Sequence, residues 1–343
     1  SGYFLIVQDN STVPSASDPR WQPVSGGYQI DDMATLSNPV NPTFYAWVRD
    51  EAGNITNQFS KTVQVGQLWT ETSGILPNFS AFDDNETIGI AFSTSSSTVP
   101  GILLRNLTDN STVGGNWNRR TDNNSIIDFD NSSLITAGNP YQIEVPAFTD
   151  NGNVYAAVTL RFNTISGDGS SANPYGLQSR EDLSAMRIYS NKVFEVKTDI
   201  DLAGMDWEPL GRQQPFQGTL RGDNHTISNL LINAPNDNYS GLFGKVENAI
   251  IQDLQLDNVT INSLKNEVIG SLAGDLKNTT VRNVQSRNVT ILGGPRTGGL
   301  IGRISGATSK IDNSSVVQGS IQADCTSYLT AGFNVGGLVG AIP

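Results

Sequence analysis

Cysteine and histidine are almost missing from this chain: its 343 residues hold one of each. The single thiol, Cys325, cannot form an intrachain disulfide, and no thiol-rich metal motif can be assembled around it. The single imidazole, His225, excludes His-Glu-x-x-His, which needs two. Charge is scarce as well, at 16% of residues, and it is one-sided, with a formal net charge of −12 and a pI near 4.5. Nucleic acid and anionic membrane surfaces therefore fit poorly as partners. No apolar run reaches the roughly 20 residues of a membrane helix, and no signal peptide is visible. A Walker loop, a dinucleotide fingerprint, the Gly-x-Ser-x-Gly nucleophile elbow, an EF-hand loop and the Gly-Gly-x-Gly-x-Asp array are absent too.

Gly, Asn, Ser and Thr are abundant, which favours turns and sheet over helix. The expected fold class is all-β. Composition and turn spacing divide the chain into residues 1–66, 67–165 and 166–343. In the first segment, short strands are expected at Tyr3 to Val7, Gly27 to Ile30, Thr43 to Val48 and Thr62 to Val65. Alternation puts Phe44, Ala46 and Val48 on one face of the third strand and Tyr45 and Trp47 on the other. Asp50-Glu51-Ala52-Gly53-Asn54 then reads as a hairpin turn, with Gly53 and Asn54 able to take positive φ.

The stretch from Tyr3 through Pro14, Trp21 and Tyr28 to the Trp-Val-x-Asp-x-Ala-Gly-Asn phrase at Trp47 to Asn54 resembles the immunoglobulin-like modules of bacterial surface proteins. The segment is short for a sandwich, as if its first strand lay upstream. Residues 67–165 carry strand candidates at Thr87 to Phe92, Gly101 to Asn106, Ser125 to Phe129, Tyr141 to Val145 and Ala156 to Phe162. Evenly spaced short strands point to a second β-sandwich. Its turn at Thr149-Asp150-Asn151-Gly152-Asn153 echoes the first.

From Ser166 the composition becomes Gly-rich and aliphatic. Ser179, with Asp182 three residues on, begins a short helix running to about Tyr189. One phrase then recurs four times: Gly241-Leu242-Phe243-Gly244, Ser271-Leu272-Ala273-Gly274, Gly299-Leu300-Ile301-Gly302 and Gly337-Leu338-Val339-Gly340. Together with the motifs at Asn173 to Leu177, Trp207 to Gly211 and Phe216 to Leu230, these phrases resemble bacterial GLUG-motif proteins over nearly all of residues 172–342. Ser271 in place of Gly is the one departure.

After each of the first three phrases comes an eleven-residue block, beginning at Ile251, Val281 and Ile311 with a period of 30. Apolar or small residues fill its first, fourth, sixth, ninth and eleventh places: Ile251, Leu254, Leu256, Val259 and Ile261, then Val281, Val284, Ser286, Val289 and Ile291, then Ile311, Ser314, Val316, Gly319 and Ile321. Two-residue alternation broken by corners is the pattern of short strands wound into a parallel β-helix, expected to be right-handed. Each phrase would form one strand ending in an inward residue (Val246, Leu276, Ile304, Ile342), and each block two more. Gly244, Gly274, Gly302 and Gly340 would stack at one corner, through positive φ or close backbone approach. Asp253, Asn283 and Asn313 would form a hydrogen-bonded ladder at another. Lys245, Asp275 and Arg303 would alternate in sign on successive coils, as would Asp257 beneath Arg287. Sheet support is the plain reading of those charges, and part of a ligand face the sharper one. The fourth phrase runs directly into Ala341-Ile342-Pro343 with no polar cap, so the natural chain is expected to continue.

Parallel β-helices include polysaccharide lyases and hydrolases. Hydrolysis would need paired carboxylates, one with a raised pKa, and the nearest groupings are Asp253 with Asp257 and Asp199 with Asp201 and Asp206. Each has a structural reading beside the catalytic one, as does His225 in its Gly-x-x-His-Thr-Ile phrase. No catalytic residue, metal ligand or cofactor is assigned and ligand-binding residues stay unknown, although Asp50, Asp150 and the Asp199/Asp201 pair could lend oxygens to a structural calcium. Sequons such as Asn54, Asn258 and Asn288 also read as ordinary turn residues. The resemblances imply a fragment of a large bacterial surface adhesin. Immunoglobulin-like modules would form a stalk, and the β-helix would meet a glycan or envelope component outside the cell. A carbohydrate-active enzyme and a plain spacer are the alternatives.

Overall fold

A computed structural model describes residues 2–342 except 9–12, 19–20, 24–42, 63, 72–73, 77–79, 85, 131, 213, 234–237, 264–267 and 324–333. The expected strand at Gly27 to Ile30 and the thiol of Cys325 lie outside the described residues. The fold is nearly all β with one α-helix, and the chain divides into two compact units, residues 1–80 with 84–163 and residues 81–83 with 164–343.

The first unit is antiparallel. Gln22–Pro23, Gly2–Gln8, Thr43–Asp50 and Ile55–Thr62 pair in that order. Asp50 closes the expected hairpin, its carboxylate accepting from the Asn54 amide and Asn54 Nδ2, both at 2.8 Å. Gly53 takes φ 91°. Because the turn is complete at Asn54, the returning strand starts at once and ends at Thr62, seven residues earlier in onset than the sequence suggested. The alternation in Thr43–Asp50 holds, with the aromatic side facing the core: Trp47 is buried with Leu5 and Trp21, and Tyr45 packs on them. Val48 is exposed. Burying a large aromatic ring removes more apolar area than burying valine, so the Trp47 face wins.

Beyond residue 66, Trp117–Arg119, Ile126–Phe129, Ile88–Ala91, Gln67–Thr70 and Gly74–Leu76 form a five-stranded sheet. Leu103–Asn106, Pro140–Val145 and Val158–Ile165 pair antiparallel in that order. The five strands expected here are present. Gln67–Thr70, Gly74–Leu76 and Trp117–Arg119 were not among the expected strands. The core is aliphatic and aromatic, with Ile90, Ile127, Ile143 and Phe162 fully buried and the Tyr141 and Phe162 rings stacked at 5.3 Å.

The second unit is a parallel β-solenoid. Phe243–Glu247, Ala273–Lys277, Ile301–Ser305 and Val339–Ala341 stack in parallel to make one wall. Ile250–Asn262 pairs in parallel with Thr280–Gly293, and this strand pairs in turn with Lys310–Asp312 and Ser315–Ala323. All five inward places of the first two blocks, Ile251 to Ile261 and Val281 to Ile291, are buried. The third block, from Ile311 to Ile321, is half-buried or exposed at the same places.

Three details differ from expectation. The eleven-residue block is one long strand bent twice, at Asp253 and Asn258 in the first coil, so it supplies three straight segments rather than two. In each phrase the first two residues make the bend and the strand begins at the third, so the second glycine lies inside a strand instead of at a corner. Close approach explains that glycine. A Cβ on Gly302 would lie 2.5 Å from the Ile269 nitrogen and 2.7 Å from the Gly274 oxygen, closer than any side chain tolerates. Finally, Val246 and Leu276 are buried as expected, whereas Ile342 is 76% exposed.

The stacked columns also run back through the non-repeating segment. Tyr175, Phe194, Leu220, Ile251, Val281 and Ile311 are successive partners, and so are Ile200, Ile227, Leu256, Ser286 and Val316. Between the first of these strands sits the helix Arg180–Ile188, capped as expected by Ser179 Oγ, which accepts from the Asp182 amide. It buries Leu183, Ala185 and Met186. Ala81–Asp83 belongs to this unit too. The Ala81 amide donates to Ser184 Oγ, and the Asp83 carboxylate accepts from the Tyr175 hydroxyl.

Candidate functional site

With the apolar positions turned inward, whatever the solenoid recognises meets its corners and outward rows. At one corner Asp253, Asn283 and Asn313 take φ of 56°, 53° and 44°. This is the left-handed region that asparagine and aspartate tolerate best after glycine. Asn283 Nδ2 donates to Asp253 Oδ1 at 2.7 Å and Asn313 Nδ2 to Asn283 Oδ1 at 2.8 Å, which is the ladder foreseen from the sequence.

A second ladder was not foreseen. Asn229, Asn258 and Asn288 also take positive φ. Asn229 Nδ2 donates to Asp201 Oδ1 at 2.7 Å, and Asn258 Nδ2 to Asn229 Oδ1 at 2.6 Å. At the next coil the ladder breaks, because Asn288 Nδ2 donates to Asp257 Oδ1 instead. Asn258 Oδ1 thus lacks a donor among the described residues.

The outward charges form pillars. Asp275 and Arg303 make a two-pronged pair at 2.8 and 2.9 Å, which raises the guanidinium pKa through that hydrogen bond. Lys245 lies 5.7 Å from the Tyr239 ring centre. Asp257 and Arg287 are partners in register, as expected, but Arg287 donates to Gln285 and forms no ion pair with Asp257. A pair that escaped the sequence reading is Lys277 with Glu247, at 2.7 Å. Uncharged polar side chains also stack in register on the bent strands: Gln255, Gln285 and Ser315 in one row, Thr260, Thr290 and Ser320 in another. Successive members are about 4.7–4.9 Å apart, the strand spacing.

The acidic groups singled out for chemistry are tied into the backbone. Asp199 accepts from the Thr226 amide and meets His225 Nδ1 at 3.2 Å. Asp201 accepts from Asn229 and the Ala203 amide, and Asp206 from the Asn233 amide. The Thr226 amide, then His225, holds the Asp199 carboxyl below its ordinary range, and Asn229 does the same for Asp201. A general acid needs the opposite shift. Asp253 belongs to the ladder. Asp50 and Asp150 lock turns, Asp150 through the Ser97 amide and the Ser97 and Thr98 hydroxyls. Among the described residues no three His, Cys, Asp or Glu side chains gather as a metal site.

A recess interrupts this surface. A shallow pocket of about 390 Å³ opens where the second ladder starts, lined by Asp201, Ala203, Asn229, Leu231, Asn258 and Thr260 among others. Ala203, with φ 58°, is the one non-polar side chain in the left-handed region among the described residues.

Residues 212–288 match a family model, the M26 IgA1-specific metallo-endopeptidase N-terminal region. That M26 match covers the first bent strand and most of the second. The chain is also 33% identical over 153 residues to Halomucin of Haloquadratum walsbyi, covering 40% of this chain and 2% of that protein. To a putative Gly-rich membrane protein of Evansella cellulosilytica it is 32% identical over 121 residues, covering 32% of this chain and 14% of that one. The chain therefore spans only a small part of these relatives. No solved structure matches.

The M26-matching stretch includes Asn229, Leu231, Asn258 and Thr260 of the pocket, and Asp201 lies ahead of it. It also contains the sequon residues Asn258 and Asn288, whose side-chain amides are engaged at the corners. Asn54 Nδ2 is engaged likewise by Asp50. Among the described residues no helix is long and apolar enough to cross a membrane.

Proposed function

We propose that this chain is a non-catalytic part of a large bacterial cell-surface protein, with two immunoglobulin-like modules as a stalk and a GLUG-type solenoid that adheres to a glycan or another envelope component. The observation that carries this reading is the outward register of Gln255, Gln285, Ser315 and Thr260, Thr290, Ser320. Repeated hydrogen-bonding groups at a fixed spacing suit a repetitive polar target, and the core columns hold them rigid. The names of the relatives, a mucin and a membrane protein, are in keeping with a surface role.

The test is a glycan array probed with the purified chain, run beside a reducing-sugar release assay. Binding without release is the expected result. Sugar release by the chain would overturn the adhesion reading in favour of a carbohydrate-active enzyme, and the absence of any binding would leave a spacer.

A further inference from the structure

The break in the second ladder has a chemical consequence. In the Asp253 ladder, the Oδ1 atoms of Asp253 and Asn283 each receive the amide of the coil above. In the Asp201 ladder, Asn258 Oδ1 receives no donor among the described residues, because Asn288 turns to Asp257. Asp201 Oδ1 already accepts two hydrogen bonds, from Asn229 and the Ala203 amide, while its Oδ2 accepts none among the described residues. Thr260 Oγ1 likewise makes no hydrogen bond among the described residues. These three residues line the same pocket, beside the apolar Leu231 and Ala203. Such a recess lacks donors from its occupant, needs an anion balanced at one point, and offers a small apolar surface for C–H groups. Its three open oxygens, only one of them from a carboxylate, fall short of the six to eight that calcium gathers.

Resting on the reading of the solenoid as a glycan-binding surface, we propose that the pocket at Asp201, Asn258 and Thr260 is a subsite for a protonated amino sugar, one unit of a deacetylated amino-polysaccharide. An ammonium group brings three N–H donors and no acceptor, the complement of three open acceptors, and its charge meets the Asp201 carboxylate in a charge-assisted bond. The net charge of −12 draws such a polymer in at low salt. An N-acetylated sugar would bring a neutral amide with a single N–H and a bulky methyl group.

The test is calorimetric titration of the full chain at pH 6 with a fully deacetylated glucosamine tetramer, its N-acetylated counterpart, and calcium chloride alone. The deacetylated tetramer is expected to bind at least tenfold more tightly than the acetylated one, and more weakly as salt is raised. Asp201→Asn keeps Oδ1 for Asn229 and Ala203 and replaces only the open oxygen, and it should lose at least tenfold in affinity. Thr260→Val, which keeps the side-chain shape, should lose severalfold and provides the check if Asp201→Asn folds poorly. Equal binding of both tetramers, a response to calcium alone, or unchanged binding by both variants would overturn the proposal. If the chain binds the glycan array while both variants bind the deacetylated tetramer as tightly as the wild type, only the subsite fails; if the chain itself binds no glycan, the adhesion reading fails with it.

Discussion

Aspartate and asparagine do different work in the two units. In the antiparallel unit they act within a turn or between neighbouring loops: Asp50 closes its own hairpin on Asn54, and Asp150 gathers Ser97 and Thr98. In the solenoid the same side chains bond one coil to the next, at separations near 30 residues. Cores follow the same division. Tyr141 and Phe162 meet across antiparallel strands, whereas Leu256 pairs in register with Ile227 in the coil before and Ser286 in the coil after. The antiparallel unit is thus a closed set of contacts, and the solenoid is a stack whose stability accumulates from neighbour to neighbour.

Core deletions should separate the two designs most strongly. Leu256→Ala is expected to cost about 2–5 kcal/mol, with hydrogen-exchange protection lost in the adjoining coils and retained progressively with distance along the stack. Phe162→Ala should cost about 3–5 kcal/mol and lower protection evenly over the strands it joins. Uniform loss throughout the solenoid after Leu256→Ala would show that it unfolds as one block.

Corner residues should have a smaller effect. Asn283→Ala forces alanine into a left-handed conformation and removes the bonds to Asp253 and Asn313, a loss of about 1–3 kcal/mol. Asn283→Gly relieves the backbone while deleting the same bonds, so its midpoint in urea should fall between wild type and Asn283→Ala. A glycine variant no better than alanine would place the whole cost in the hydrogen bonds.

The smallest effect concerns acid. The Ser97 amide, helped by the Ser96, Ser97 and Thr98 hydroxyls, lowers the Asp150 pKa from 3.8 to about 2. A depressed carboxyl stabilises the folded state above its unfolded pKa, and that contribution fades as pH falls through the folded value. Melting temperature should therefore decline between pH 4 and pH 2, and less so in Asp150→Asn. Identical declines in the two proteins would show that Asp150 does not contribute.

Much of the solenoid was legible because its pattern is local. A buried block position must be apolar or small, a corner at positive φ selects Asn, Asp or Gly, and a helix start selects Ser179 with Asp182 three residues on. The pocket was not legible. Asp201, Asn229 and Asn258 are separated by 28 and 29 residues, just off the period of 30 that made the Asp253 ladder visible. The same drift hid the coils between Tyr175 and Leu230, where a helix is inserted and the blocks change length. In the antiparallel unit the five strands expected beyond residue 66 were found, whereas the strand after the Asp50 turn began seven residues early and the buried side of Thr43–Asp50 could not be read, since either face alternates equally.

The sequence by itself determined the all-β class, the stacking period, the identity of the inward columns and one corner ladder, because each follows from residue spacing along the chain. Tertiary structure alone decided where the second ladder ends, which acceptors it leaves open, and that Arg287 turns from Asp257 to Gln285. Those outcomes depend on competition among side chains from separate coils, and hydrogen bonds go to whichever partner the folded geometry brings within reach.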